Sequence, residues 1–141
     1  MILPDVNVLV YAFRSDARDH SSHREWLHGV IDGPSVYGIS PQVLASLIRI
    51  CTHRRIFVRP SSVTEAFEFC RILTSPPHCS LVVPGPRHWE IFQGLCASAS
   101  AVGNLVQDAW FAALAIESGC EWITTDRDYA RFEGLKSRPP F

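Results

Sequence analysis

The run Ile2-Leu3-Pro4-Asp5-Val6-Asn7-Val8-Leu9-Val10-Tyr11 is almost wholly apolar, yet it carries one carboxylate and one carboxamide. Taking an unpaired carboxylate out of water costs several kcal/mol, so Asp5 has to be paired, bound to a metal, or set at a strand end facing a crevice. The plainer alternative is a turn or capping aspartate following Pro4. Two further carboxylates have similar standing. Asp108 falls on the inward side of a helical pattern, three residues after Leu105 and four before Ala112. Compensation of the helix dipole would explain an acid near a helix start, but not its inward direction. Asp126, with Asp128 two residues on, follows the strand-like Glu121-Trp122-Ile123-Thr124-Thr125; on its own it reads as the cap of a short helix over 127–132. If the three acids converge, they form a set of hard oxygen donors suited to Mg²⁺ or Mn²⁺.

Whether they converge depends on the elements that carry them. The stretch 19–32 puts Trp26, Leu27, Val30 and Ile31 at helical spacing and stops at Gly33-Pro34. His20 and His23 at its start read as solvated and receive no metal. Val36 to Ile39 is a short strand, and Ser40-Pro41 an N-cap with proline in the first turn of a helix over 41–53, striped by Val43, Leu44, Leu47, Ile48 and Cys51. Ser46 and Arg49 are neighbours on that helix. Ser62 and Glu65 form a capping box, opening a helix whose buried side is expected to be Val63, Ala66, Phe67, Cys70 and Leu73, ended by Pro76-Pro77. Ser80 to Val83 is of strand length. Pro86 begins a helix with Trp89, Phe92, Leu95 and Cys96 at core spacing, and residues 97–103 read as a loop. Asn104 is the expected cap of a helix over 105–118, stopped by Gly119. Strands alternating with helices imply an α/β fold with a parallel sheet covered on both faces. Ligands of such sheets bind in the crevice beyond the carboxyl ends of the strands.

Composition narrows the classes. With 141 residues, 47% hydrophobic and 19% charged, and a formal net charge of −1, the chain is expected to be a single domain over residues 1–141. No apolar run is long enough to span a bilayer, and the start lacks the basic flank of a signal peptide, so a cytoplasmic protein without a membrane partner is expected. Five cysteines with no Cys-x-x-Cys pair speak against a disulfide framework and a thiolate zinc site. Of thirteen basic residues only Lys136 is a lysine. Arginine suits bidentate phosphate contacts, although a GC-rich genome produces the same bias.

Three motifs now carry a resemblance: Pro4 to Ala12 (Pro-Asp-Val-Asn-Val-Leu-Val-Tyr-Ala), Gly103 to Ala109 (Gly-Asn-Leu-Val-Gln-Asp-Ala) and Thr124 to Phe132 (Thr-Thr-Asp-Arg-Asp-Tyr-Ala-Arg-Phe). The sequence resembles the PIN domain over nearly its whole length, and within it the VapC-type ribonuclease toxins of bacterial toxin-antitoxin pairs. The resemblance implies a three-layer α/β/α fold around a parallel sheet of four or five strands. It implies metal binding by Asp5, Asp108 and Asp126 with help from Asp128, and a supporting role for Asn7. It also overrides a local reading: β-branching calls 6–10 a continuation of the first strand, whereas the family begins a short helix near Asn7.

One position departs from the family. A glutamate is common on the helix after the second strand, and Ser46 stands in its place, which is expected to weaken metal binding. The implied chemistry is metal-assisted hydrolysis of RNA phosphodiesters, with a bound water made acidic enough to attack at neutral pH. Arg14, Arg18, Arg49, Arg54, Arg55 and Arg127 are candidates for contacts to the RNA backbone. The implied substrate is structured RNA such as transfer or ribosomal RNA, the implied partner a VapB-type antitoxin, and the implied assembly a homodimer. Two other classes stay open: a catalytically weak PIN domain that binds RNA or antitoxin, and a phospho-accepting receiver domain. The second is suggested by the early Asp5 and the late Lys136, but lacks an acid pair beside the first strand.

Overall fold

In the computed structural model, which describes all of residues 1–141, five short parallel strands form one sheet: β1 (Ile2–Pro4), β2 (Tyr37–Ile39), β3 (Cys79–Leu81), β4 (Glu121–Ile123) and β5 (Ser137–Arg138). Their order is β3-β2-β1-β4-β5. Leu3 lies opposite Trp122 and Pro4 opposite Ile123. Six helices connect them: α1 (Val6–Phe13), α2 (His20–Asp32), α3 (Pro41–Cys51), α4 (Val63–Thr74), α5 (His88–Ser98) and α6 (Asn104–Ser118). From β1 the chain moves outward to β2 and β3, then α5 and α6 carry it back across to β4. Right-handed crossovers therefore put α1 to α4 on one face and α5 with α6 on the other. The packing agrees, with α1 against α2 and α3, α3 against α4, and α5 against α6. This is the three-layer α/β/α arrangement. The strand direction of travel reverses between β1 and β4, and the crevice beyond their carboxyl ends is the place such sheets offer a ligand.

The opening run is a strand of three residues and then a helix. Asp5 takes an extended backbone and its side chain accepts from the Val6 amide, so it caps α1. Val8, Leu9, Val10 and Ala12 are buried and none of the other four residues is fully exposed, so the helix shows no polar face from which a period could be read. Burial outweighs the few tenths of a kcal/mol by which valine disfavours a helix. In the centre of the sheet Trp122 is fully buried, its ring stacked on Phe111 at 5.5 Å.

Other expectations need correction. Asn104 is the first residue of α6, and the cap is Gly103, whose φ of 57° suits glycine. Phe67 and Val63 are exposed, because α4 turns Ala66, Cys70 and Leu73 inward. Trp89 is also exposed; of the other three residues expected to pack from α5, Leu95 is buried and Phe92 and Cys96 pack against the core partly buried. α5 starts at His88, two residues after Pro86, and runs to Ser98 into the expected loop. The expected short helix after Asp126 is a 3₁₀ helix, Arg127–Arg131.

Candidate active site

β1 and β4 end side by side, and the residues that follow them meet. Asp5 is only 3% exposed. Its Oδ1 accepts from the Val6 amide at 2.6 Å; its Oδ2 accepts from the Thr124 hydroxyl at 2.6 Å and the Asn7 amide at 2.9 Å. The same Thr124 oxygen accepts from Asn7 Nδ2 at 3.0 Å and from the Asp126 backbone amide at 3.0 Å. Asn7 thus stands beside Asp5 as the first motif implied, and one hydroxyl ties the end of β1 to the end of β4. Asp126 is exposed and caps the 3₁₀ helix through Oδ1, which accepts from the Asp128 amide at 2.9 Å. Capping and a second role are compatible: a carboxylate oxygen has two lone pairs, so Asp5 keeps one on Oδ1 and Asp126 keeps all of Oδ2.

Electrostatics place Asp108 in the same group. Burial pushes the Asp5 carboxyl up to about 7; hydrogen bonds from Thr124 and Val6 oppose this, and the charges of Asp108 and Asp126 add to it. The half-buried Asp108 is raised as well, by burial first and then by Asp126 and Asp128, against the Tyr129 hydroxyl. Tyr129, 2% exposed and packed on Trp122, has its phenol raised by burial and by all three acids. Like charges held together in this way favour a cation among them. The donors are all oxygens, as Mg²⁺ and Mn²⁺ require. In donor type and field the residues fit such an ion, yet no three His, Cys, Asp or Glu side chains are drawn into one ligand cluster. The charges of Asp108 and Asp126 therefore reach Asp5 without the three side chains being closed on a common point.

The remaining candidates are dispersed. Ser46 is half-buried on α3. Arg14 is buried, with its guanidinium hydrogen-bonded to Asp16, Ser61 and the Arg59 carbonyl and stacked over Phe57, which makes it a latch for the 57–61 loop. Arg18 is exposed beside Asp19, and Arg49, Arg54 and Arg55 are exposed. Only Arg127 adjoins one of the candidate site acids, Asp126, and shares a cavity with it. The largest cavity, about 640 Å³, opens at the opposite end of the sheet among Met1, Tyr37, Glu121 and Lys136, and holds none of the candidate residues.

The PIN domain family model matches residues 2–135. The chain belongs to the PIN domain family. Its full-length relatives include a VapC ribonuclease of Mycobacterium bovis, 39% identical over 140 residues, covering 99% of this chain and 95% of the relative. Ribonuclease VapC31 of Mycobacterium tuberculosis is 40% identical over 141 residues, covering 99% of both. Among solved structures, VapBC2 from Rickettsia felis bound to a promoter DNA fragment superposes with a TM-score of 0.71 at 18% identity, over 99% of this chain and 98% of that one. VapC20 of Mycobacterium tuberculosis, described as a sarcin-ricin loop cleaving toxin, superposes with a TM-score of 0.64 at 15% identity, over 96% and 99%. These superpositions confirm the PIN fold and rule out a receiver domain. Two residues of this PIN domain escaped the sequence analysis in their own right, Thr124 and Tyr129. Thr124 stood in a quoted motif; its position two residues before Asp126 at a strand end was the signal available.

Proposed function

We propose that this PIN domain is a Mg²⁺- or Mn²⁺-dependent endoribonuclease toxin that cleaves structured RNA, transfer or ribosomal, in the cytoplasm. A cognate VapB-type antitoxin neutralises it, and it works as a homodimer. The observation that carries this reading is the buried Asp5 carboxyl, held by Thr124, Asn7 and the Val6 amide where β1 and β4 end together, and pushed up by burial and further by the charges of Asp108 and Asp126. Full-length relatives named as VapC ribonucleases support the reaction class, and the VapBC assembly from Rickettsia felis supports the partner.

Asp5, Asp108 and Asp126 would hold the ion, with Asp128 in support. When bound it supplies an acidified water and charge neutralisation at the phosphate. Thr124 and Asn7 fix the Asp5 carboxylate so that its remaining lone pair keeps one direction. Arg127 offers a positive charge to the RNA backbone beside the acids.

The test is cleavage of structured RNA by purified protein with Mg²⁺ or Mn²⁺, expected to stop when EDTA is added. Asp5→Asn and Asp126→Asn are each expected to remove most activity while leaving the far-ultraviolet circular dichroism unchanged. Undiminished cleavage in EDTA sinks the metal mechanism, and wild-type rates in both variants reduce these residues to caps. Saturable RNA binding without cleavage under any divalent ion would favour the binding-module reading, to which Ser46 and the unclosed carboxylates lend support.

A further inference from the structure

The 3₁₀ helix and β5 border a cavity of about 530 Å³ lined by Thr125, Asp126, Arg127, Ser137, Arg138 and Pro139 among others. We propose that this cavity holds a backbone phosphate of the RNA strand, one flanking the bond to be cut, with Arg127 and Arg138 as its cations. The inference rests on the ribonuclease reading above and adds a subsite to it.

Two of the eight lining residues are arginines, which gives the cavity a cationic side. Arg127 is exposed and forms no ion pair with any side chain. It directly follows Asp126, about 3.8 Å away along the chain, so an anion on Arg127 lies within a nucleotide's reach of the acids. Arg138 donates to Glu121 at 3.1 Å, with both side chains about half exposed at 46% and 40%. An ion pair so open to water is weak, and a phosphate, which takes the guanidinium fork bidentately, can displace the glutamate. Asp126 repels an anion from the inner rim, which sends it toward β5, where Arg138 stands. The formal net charge of −1 gives no overall attraction for RNA, so cations beside the acids must supply it.

The experiment is a fluorescence anisotropy titration of a labelled single-stranded RNA in EDTA, at several salt concentrations, with the wild type and the Arg127→Ala/Arg138→Ala double variant. Binding by the double variant is expected to be about tenfold weaker. The slope of log K against log salt is expected to be shallower by about 0.7, the value for one phosphate of a single strand. Replacing the arginines by lysine should recover the slope and part of the affinity. Arg127→Ala alone, at an exposed site outside the sheet, gives a variant whose fold is not at stake, and it should show the same direction of change. Equal affinity and slope in wild type and variants, or no saturable binding by the wild type, overturns the proposal. With Mg²⁺ present, the variants should raise KM more than they lower kcat. A wild type that binds RNA with this dependence but cuts none refutes only the nuclease reading, whereas cleavage with an unchanged KM in the variants refutes only the phosphate subsite.

Discussion

Thr124 is the residue on which the geometry of Asp5 depends, since its single oxygen joins Asp5, Asn7 and the Asp126 amide. Thr124→Val keeps the shape and removes that oxygen. It leaves buried polar groups without a partner, at about 1 to 3 kcal/mol, and it frees the Asp5 carboxylate to rotate. RNA cleavage is expected to fall about 10 to 100-fold, with weaker metal dependence, while Thr124→Ser restores most of it. Equal loss in both would show that the methyl, and so packing, is what matters. The acids themselves were legible because charge inside an apolar run demands a cause. Thr124 was not, because threonine is an ordinary strand former and its sequence position hides a partner 119 residues away. Tyr129 was hidden likewise, an aromatic at core spacing whose neighbours happen to be carboxylates.

Among the elements, α1 and α3 carry the parts whose placement could go either way. Three valines in five residues argued for a strand at 6–10, and only the burial of Val8, Leu9, Val10 and Ala12 in a helix reverses this. Isolated propensities cannot see that burial; the family resemblance could. β5 went unseen because two residues, Ser137 and Arg138, have no period. Helix α3 was legible to within two residues, because Ser40 caps it through the Gln42 amide and Pro41 fills the first turn. Its Ser46 stands where an acid is usual, so Ser46→Glu is expected to raise metal affinity about 10 to 100-fold in a metal titration of RNA cleavage. If the larger side chain is instead buried without a partner, the melting temperature drops in metal-free buffer; only a coordinating glutamate recovers that drop when Mn²⁺ is added. A drop without recovery places Ser46 away from the acids.

For the molecule as a whole, the buried carboxylate links stability to pH. Asp5 titrates near 7 when folded against an ordinary 3.8, so between those values the folded chain keeps a proton that the unfolded chain has released. The stability this confers is complete below about pH 4 and is lost as the pH rises through 7. The gap corresponds to at most about 4 kcal/mol. In EDTA the melting temperature of the wild type is therefore expected to fall more steeply from pH 5 to pH 8 than that of Asp5→Asn. Millimolar Mn²⁺ should offset the fall at pH 8, because an ion that binds only the folded chain stabilises it by mass action. Parallel curves for the two proteins would show that Asp5 ionises freely. Alternating strands and helices were enough to infer the parallel sheet. The order β3-β2-β1-β4-β5 was not available, since it rests on which strands meet and not on how any one of them is patterned.

That order also has a consequence for how the protein is made. β1 lies between β2 and β4 in the middle of the sheet and is synthesised before β2 and β3, whereas its neighbour β4 is synthesised after both. At about 5 to 20 residues per second, Asp5 waits roughly 6 to 24 s for the Thr124 hydroxyl that will hold it. Until then, a growing chain can build α1 to α4 against β1, β2 and β3, but it has no second side to the crevice. A polypeptide abandoned on the ribosome before residue 124 would carry the first acid without Thr124, Asp126 and Tyr129 around it, so the crevice is completed only after β4 has been made.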